Sequence, residues 1–192
     1  MRNENLFEHL AETIRDSEKF AECKQFIQHG TVSVYEHSVA VARMSFAIAE
    51  VFKLSDKQSL IRAALLHDFF LYDWHVPERM WSLHGWTHPV TAANNARLYF
   101  NVTDKEMSLI RTHMWPYTLL HPPKYREGWI ICLADKVVSI AETLFRRGVR
   151  STGEATLNTI HSVKATVPAK ASGKALGARS GYPLRVISKK NG

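Results

Sequence analysis

A histidine–aspartate pair closes an otherwise apolar run, Leu60-Ile61-Arg62-Ala63-Ala64-Leu65-Leu66-His67-Asp68-Phe69-Phe70. This pair constrains the fold more than any other feature of the chain. A carboxylate beside an imidazole, with Leu65, Leu66, Phe69 and Phe70 on both sides, is costly to bury. The cost is several kcal/mol, about that much per unpaired ion, unless the charge is paired or coordinates a metal. Either the pair faces water at a helix end, or something binds it.

The surrounding periodicity is helical. Residues 5–28 read as helix, with Leu6, Phe7, Leu10, Ile14, Phe20 and Phe26 recurring among charges. His9 and His29 in this stretch read as surface or boundary histidines. A second helix is expected from Ser33 to Phe52, where Val34, His37, Val41, Met44, Ile48 and Phe52 follow steps of three and four. His37 therefore falls on an apolar face. Taken alone it reads as a core histidine with one hydrogen-bonded nitrogen. Leu54-Ser55-Asp56 breaks that helix, and Ser55 or Asp56 can cap the next one, which carries Leu60 to Asp68.

Residues 69–88 read as loop-rich and hold Trp74, His75, Trp81, His84, Trp86 and His88. Thr87 or His88 can start the following helix, with Pro89 near its first turn. Thr103 with Glu106 three residues later marks a capping box for a helix containing Met107, Ile110, His113 and Met114. A second loop, Trp115 to Gly128, holds His121. The run from Trp129 through Ile140 then reads as a buried helix with Asp135 embedded in it.

Composition bounds the remainder. At 192 residues with 45% hydrophobic content, the chain suits one sizeable core. No run approaches the ~18 apolar residues of a membrane span. Met1-Arg2-Asn3-Glu4-Asn5 lacks a signal-peptide pattern, so a cytoplasmic protein with Cys23 and Cys132 as reduced thiols is expected. The formal charge of +7 is local. After Glu154 there is no acidic residue, and Lys164, Lys170, Lys174, Arg179, Arg185, Lys189 and Lys190 account for the whole excess. The reading is a helical body over 1–150 and an extension over 151–192. The extension is a short helix at 151–163 and then a flexible basic tail. Such tails are usually solvated, and contact with RNA, anionic lipid or an acidic partner is the minority reading.

His37, His67, Asp68, His88, His113 and Asp135 each have an ordinary explanation alone. Together they place imidazole and carboxylate groups on apolar helix faces or at helix ends. That is the donor set of Zn²⁺, Mn²⁺, Fe and similar ions. A helical bundle can bring such side chains from several helices to one point.

In the order His, His-Asp, His, His, Asp, the chain resembles the HD-domain superfamily of metal-dependent phosphohydrolases. The matching pieces are Tyr35-Glu36-His37-Ser38-Val39-Ala40, Leu65-Leu66-His67-Asp68, Thr87-His88-Pro89, Ile110-Arg111-Thr112-His113 and Leu133-Ala134-Asp135-Lys136. The resemblance implies an all-α fold, an HD-type helical bundle with the metal site inside it. It implies that His37, His67, Asp68 and Asp135 hold one ion. It also places the chain in the subgroup whose extra histidines, here His88 and His113, hold a second ion, with Asp68 bridging. One or two divalent transition ions (Fe, Mn, Ni, Co or Zn) are implied. Many members carry Gly-Lys shortly after the doublet. This chain has Phe69-Phe70-Leu71-Tyr72-Asp73-Trp74 instead, so a substrate class cannot be inherited from those members.

The implied activity is hydrolysis of a phosphoester in a small phosphorylated substrate, with Asp68 holding the ions and orienting the nucleophile. Lys136, beside Asp135, is the preferred cation for the phosphoryl group, ahead of Arg79 and Arg111. His84 competes with His88 for a ligand role and otherwise stands as an acid or substrate contact. His121 and His75 are weaker supplements. The aromatics of the two loops, Trp74, Trp81, Trp86, Trp115 and Tyr117, favour a substrate with a flat part, such as a nucleotide. Two other functions fit the same residues: an oxygen-using di-iron enzyme, and a non-catalytic nucleotide sensor whose tail contacts RNA. The oligomeric state is not legible.

Overall fold

The computed structural model describes residues 2–75 and 84–144, and within them the fold is all-α apart from one short hairpin. Helix α1 (Arg2–Arg15) buries Phe7, Ala11 and Ile14, steps of four and three that make one apolar face. The expected single helix over 5–28 does not form. Asp16-Ser17 interrupts it, and the Ser17 hydroxyl accepts from the Phe20 amide to cap a one-turn helix, α2 (Glu18–Ala21). A 3₁₀ turn, Glu22–Gln25, follows. The chain then forms a β-hairpin from β1 (Ile27–His29) and β2 (Val32–Ser33). Gly30 turns it at φ +61°, a conformation glycine adopts without steric cost.

Ser33 ends the hairpin and starts α3 (Val34–Val51) through a full capping box with Glu36. The expected boundaries of this helix hold. Its buried face, Val34, His37, Ser38, Val41, Ala42, Ser45, Phe46 and Ala49, carries the histidine inward. Asp56 caps α4 (Lys57–Leu66), whose buried residues Leu60, Ile61 and Ala63 to Leu66 cover most of its circumference. Helix α4 is therefore the central helix, packed on α1, α3, α5 and α6.

Helix α5 (His84–Phe100) begins before Thr87, so Pro89 lies inside the helix rather than near its first turn, as expected above. Asn101 turns the chain at φ 46°, and Thr103 with Glu106 forms the anticipated capping box of α6 (Asp104–Thr112). The last described helix, α7, runs over 126–144. It was expected to be buried, and only one side is. Ile130, Ile131, Ala134 and Val138 face the core, whereas Trp129, Leu133, Val137 and Ile140 are exposed.

Glu106 also fastens α6 to the central helix. Its Oε1 accepts from Arg62 Nε at 2.8 Å, while Arg62 Nη2 donates to the Phe100 carbonyl at 3.0 Å. Among the described residues no helix is long and apolar enough to cross a membrane. Cys23 and Cys132 are buried free thiols. The expectations for residues 76–83, including Trp81 and Arg79, and for the extension and basic tail lie outside the described residues.

Candidate metal centre

The centre is built where helices stop. His67 is the C-cap of α4 and His113 that of α6, positions where the last carbonyls have no partner within the helix. Each ring uses one of those carbonyls. His67 Nδ1 lies 2.8 Å from the Ala64 oxygen, and His113 Nδ1 lies 2.8 Å from the Ile110 oxygen. A carbonyl only accepts, so in each ring Nδ1 carries the proton and Nε2 points the other way, inward.

Asp68 receives them. Its Oδ2 is 3.2 Å from His67 Nε2 and 3.8 Å from His37 Nε2. Its Oδ1 is 3.2 Å from His88 Nε2 and 3.5 Å from His113 Nε2. Asp135, from α7, places Oδ1 3.2 Å from His37 Nε2 and 3.8 Å from His67 Nε2, and takes a bond from Ser139 Oγ at 3.3 Å. All six of these side chains are buried, and His37 and His67 are fully so. Five of the six residues singled out in the sequence form two overlapping sets that share Asp68, His37–His67–Asp68 and Asp68–His88–His113, and Asp135 joins them through His37 and His67.

The set fits a cation. His67 Nε2 and Asp68 Oδ1 are buried polar atoms without a hydrogen bond of good geometry, in a place lined by nitrogen and oxygen donors. Leaving such groups unmet costs about 1–3 kcal/mol each. Electrostatics point the same way. Burial pushes the Asp68 carboxyl up, but the neighbouring His67 and His88 imidazoles outweigh it and hold it well below the usual carboxylate range. Asp135 is likewise held down, against burial, by its hydrogen bond with His37. Burial disfavours a charged His37, yet its bonds with Asp135 and Glu142 prevail and raise it to about 10. Burial takes His113 down to about 3, so this ring is neutral and its Nε2, 3.1 Å from His88 Nε2, carries the lone pair. Without a metal ion, the two carboxylates are balanced by protons drawn onto imidazoles, with Lys136 at the edge of the cluster. A divalent ion would satisfy the same carboxylates and leave the rings neutral.

The remaining candidates fall elsewhere. Lys136 Nζ donates to the His113 carbonyl at 3.2 Å and lies 3.7 Å from Asp135 Oδ2, so it ties α7 to the end of α6 at the edge of the cluster. Arg111 is on the surface, bonded to Asn94. His75 is exposed and pairs with Asp73, and His121 is exposed in the second loop. His84 opens α5 in the backbone, and its side chain lies outside the described residues.

Three residues were not singled out in the sequence. Gln28 Nε2 donates to Asp68 Oδ2 at 2.6 Å. Glu142 Oε2 accepts from His37 Nδ1 at 3.0 Å. Asn95, on α5, donates to the carbonyls of both Phe69 and Phe70, at 3.0 and 3.2 Å. It thereby fixes the backbone just after the doublet, ahead of Leu71, which sits at φ 57°. Glu142 had one available signal, its place seven residues and two helical turns after Asp135. Gln28 has none, because its segment carries helical rather than strand spacing.

Two aromatic pairs border the second loop. Trp86 and Tyr117 stand 5.1 Å apart, centroid to centroid, and Trp115 and Trp129 4.6 Å apart. A side-chain carbon at Gly85 would meet the Tyr117 ring at 2.9 Å, so glycine there lets the ring lie against α5.

Comparison with known families finds that the family model described as HD domain matches residues 34–140, a span that contains His37, His67, Asp68, His88, His113 and Asp135. No curated protein and no solved structure matches the chain.

Proposed function

The chain belongs to the HD-domain family, a superfamily of metal-dependent hydrolases, and from that premise we propose that it hydrolyses a phosphoester at a two-metal centre. The observation that carries this reading is the placement of Asp68. One carboxylate oxygen faces His67 and His37, and the other faces His88 and His113. His37, His67, Asp68 and Asp135 would hold one divalent transition ion. Asp68, His88 and His113 would hold the second. Fe, Mn, Co, Ni and Zn all suit imidazole–carboxylate donors.

When bound, such ions supply a nucleophilic water at neutral pH and neutralise charge on a phosphoryl group. The chain's own residues do the rest. His67 and His113 hold their protons on Nδ1 against Ala64 and Ile110, so that both Nε2 atoms stay available as ligands. Buried Phe69 and Phe70 keep bulk water from the inner side of the centre, which strengthens every electrostatic interaction there. Lys136 supplies a cation at the edge of the site, leaving its bond to the His113 carbonyl to meet a phosphoryl oxygen. His84, at the start of α5, is assigned to the leaving group or to the substrate. The exposed Trp86–Tyr117 pair, within one turn of His88, suits stacking on a flat group and supports a nucleotide over a bare sugar phosphate.

A phosphoester panel that includes nucleotides, run on protein reconstituted without oxygen in Mn²⁺, Fe²⁺, Co²⁺ or Ni²⁺, tests the reading. Turnover that is lost in His67→Ala and Asp68→Ala is expected. Metal binding with no phosphate release, but with oxygen consumption and an iron spectroscopic signal, would assign the centre to di-iron oxidation instead.

A further inference from the structure

We propose that Glu142 is a positioning residue that fixes the tautomer and aim of His37 at the metal centre; the inference rests on the two-metal reading above. His37, His67 and His113 occupy different positions on their helices. His67 and His113 are C-caps, so a free backbone carbonyl three residues earlier takes the Nδ1 proton. His37 is the fourth residue of α3. Carbonyls around a first turn are already engaged along the helix, so this ring has to find its Nδ1 partner in another element.

Glu142 is that partner. Its Oε2 lies 3.0 Å from His37 Nδ1, and its side chain is only 13% exposed. The opposite ring nitrogen, Nε2, faces the carboxylates of Asp135 and Asp68 at 3.2 and 3.8 Å. An acceptor on one side of an imidazole and two carboxylates on the other leave a simple solution: Nδ1 holds the proton, and Nε2 gives its lone pair to a cation shared with Asp135 and Asp68. An anionic acceptor on Nδ1 also makes Nε2 a stronger donor.

Helix α7 is patterned for this. Asp135, Ser139 and Glu142 recur at steps of four and three, and Ser139 Oγ bonds to Asp135 Oδ1 at 3.3 Å. One helix face therefore supplies a ligand, the group that orients it, and the group that orients a second ligand from α3. On its other side the Glu142 carboxylate faces the hairpin, where the His29 ring meets His37 edge-on at 5.6 Å.

The test uses the full chain with Glu142→Ala, Glu142→Gln and His29→Ala, titrated with Co²⁺ against a chromophoric chelator. Glu142→Ala is expected to weaken Co²⁺ binding by about 10- to 100-fold, the usual effect of losing an outer partner of a ligating histidine. Glu142→Gln keeps an acceptor without the charge and should fall between Ala and wild type; it also decides the matter if the alanine variant does not fold. In the Zn²⁺-loaded wild type, nitrogen NMR of His37 should show the proton on Nδ1. Wild-type affinity in both Glu142 variants would overturn the proposal. So would an additional Co²⁺ equivalent lost equally in Glu142→Ala and His29→Ala, which would make Glu142 a ligand. A wild-type chain that binds no Co²⁺ would instead sink the metal-hydrolase reading itself.

Discussion

His88 and His113 face each other Nε2 to Nε2 across 3.1 Å, from helices that start and stop independently of one another. His113 has its proton on Nδ1, committed to the Ile110 carbonyl, so its inward nitrogen presents a lone pair toward His88 and Asp68. Asp68 Oδ1 lies 3.2 Å from the first ring and 3.5 Å from the second. Two imidazole nitrogens and a carboxylate oxygen at this spacing repay their burial when a cation joins them. Substituting either ring should then remove one ion and spare the other. We expect His113→Ala to bind one divalent ion where wild type binds two, read by elemental analysis of dialysed protein, with circular dichroism showing the fold retained.

Acid–base linkage gives a second expectation. In the metal-free chain His37 is raised from its ordinary 6.5 to about 10, because its bonds to Asp135 and Glu142 outweigh burial. A raised folded-state value stabilises fully below 6.5, and the contribution is lost as pH climbs through about 10. Metal-free protein should therefore lose stability between pH 7 and 10. Asp68 and Asp135 are depressed, so their contribution is present above the ordinary carboxylate value and lost as pH falls through their lowered ones. Metal binding needs His37 Nε2 unprotonated, so it should release a proton near neutrality and tighten as pH rises toward 10. Calorimetric titration with Zn²⁺ in buffers of different ionisation enthalpy measures that proton directly.

The doublet's position depends on Asn95. Its amide holds the carbonyls of Phe69 and Phe70. Asn95→Leu should cost about 1–3 kcal/mol by leaving those buried acceptors unmet, and should loosen metal binding at Asp68. Chemical denaturation and a Co²⁺ titration of the same variant separate the two effects. A variant as stable as wild type would show that water replaces the amide.

Away from the centre, Arg62 and Glu106 provide a control. The pair is buried on the carboxylate side, and Glu106 also closes the cap of α6. Glu106→Ala leaves Arg62 without its carboxylate and should destabilise by about 3–5 kcal/mol. Urea unfolding checks this. Metal content per folded chain should not change.

How much of this was legible in the sequence depends on distance along the chain. Ser33 with Glu36 and Thr103 with Glu106 announced their helices because a capping box is written within four residues. His37, His67, His113 and Asp135 were legible because an ionisable group on an apolar face demands a partner. The breaks that failed were those decided by tertiary packing. Residues 16–29 kept helical spacing in Phe20 and Phe26, yet Ser17 preferred to cap, and Ile27 preferred to pair with Ser33. That hairpin brings Gln28 to Asp68, a contact across forty residues that no local pattern encodes. The exposed side of α7 was missed for a related reason: its apolar run does not say which residues find neighbours.

The proposed metal centre hinges on Asp68, and metal content per chain is its plainest test. Wild type and Asp68→Ala are reconstituted side by side with Mn²⁺ or Fe²⁺ without oxygen, dialysed, and measured by elemental analysis. Two ions per wild-type chain and none in Asp68→Ala are expected. Wild type without bound metal, or an Asp68→Ala chain that keeps both ions, would contradict this.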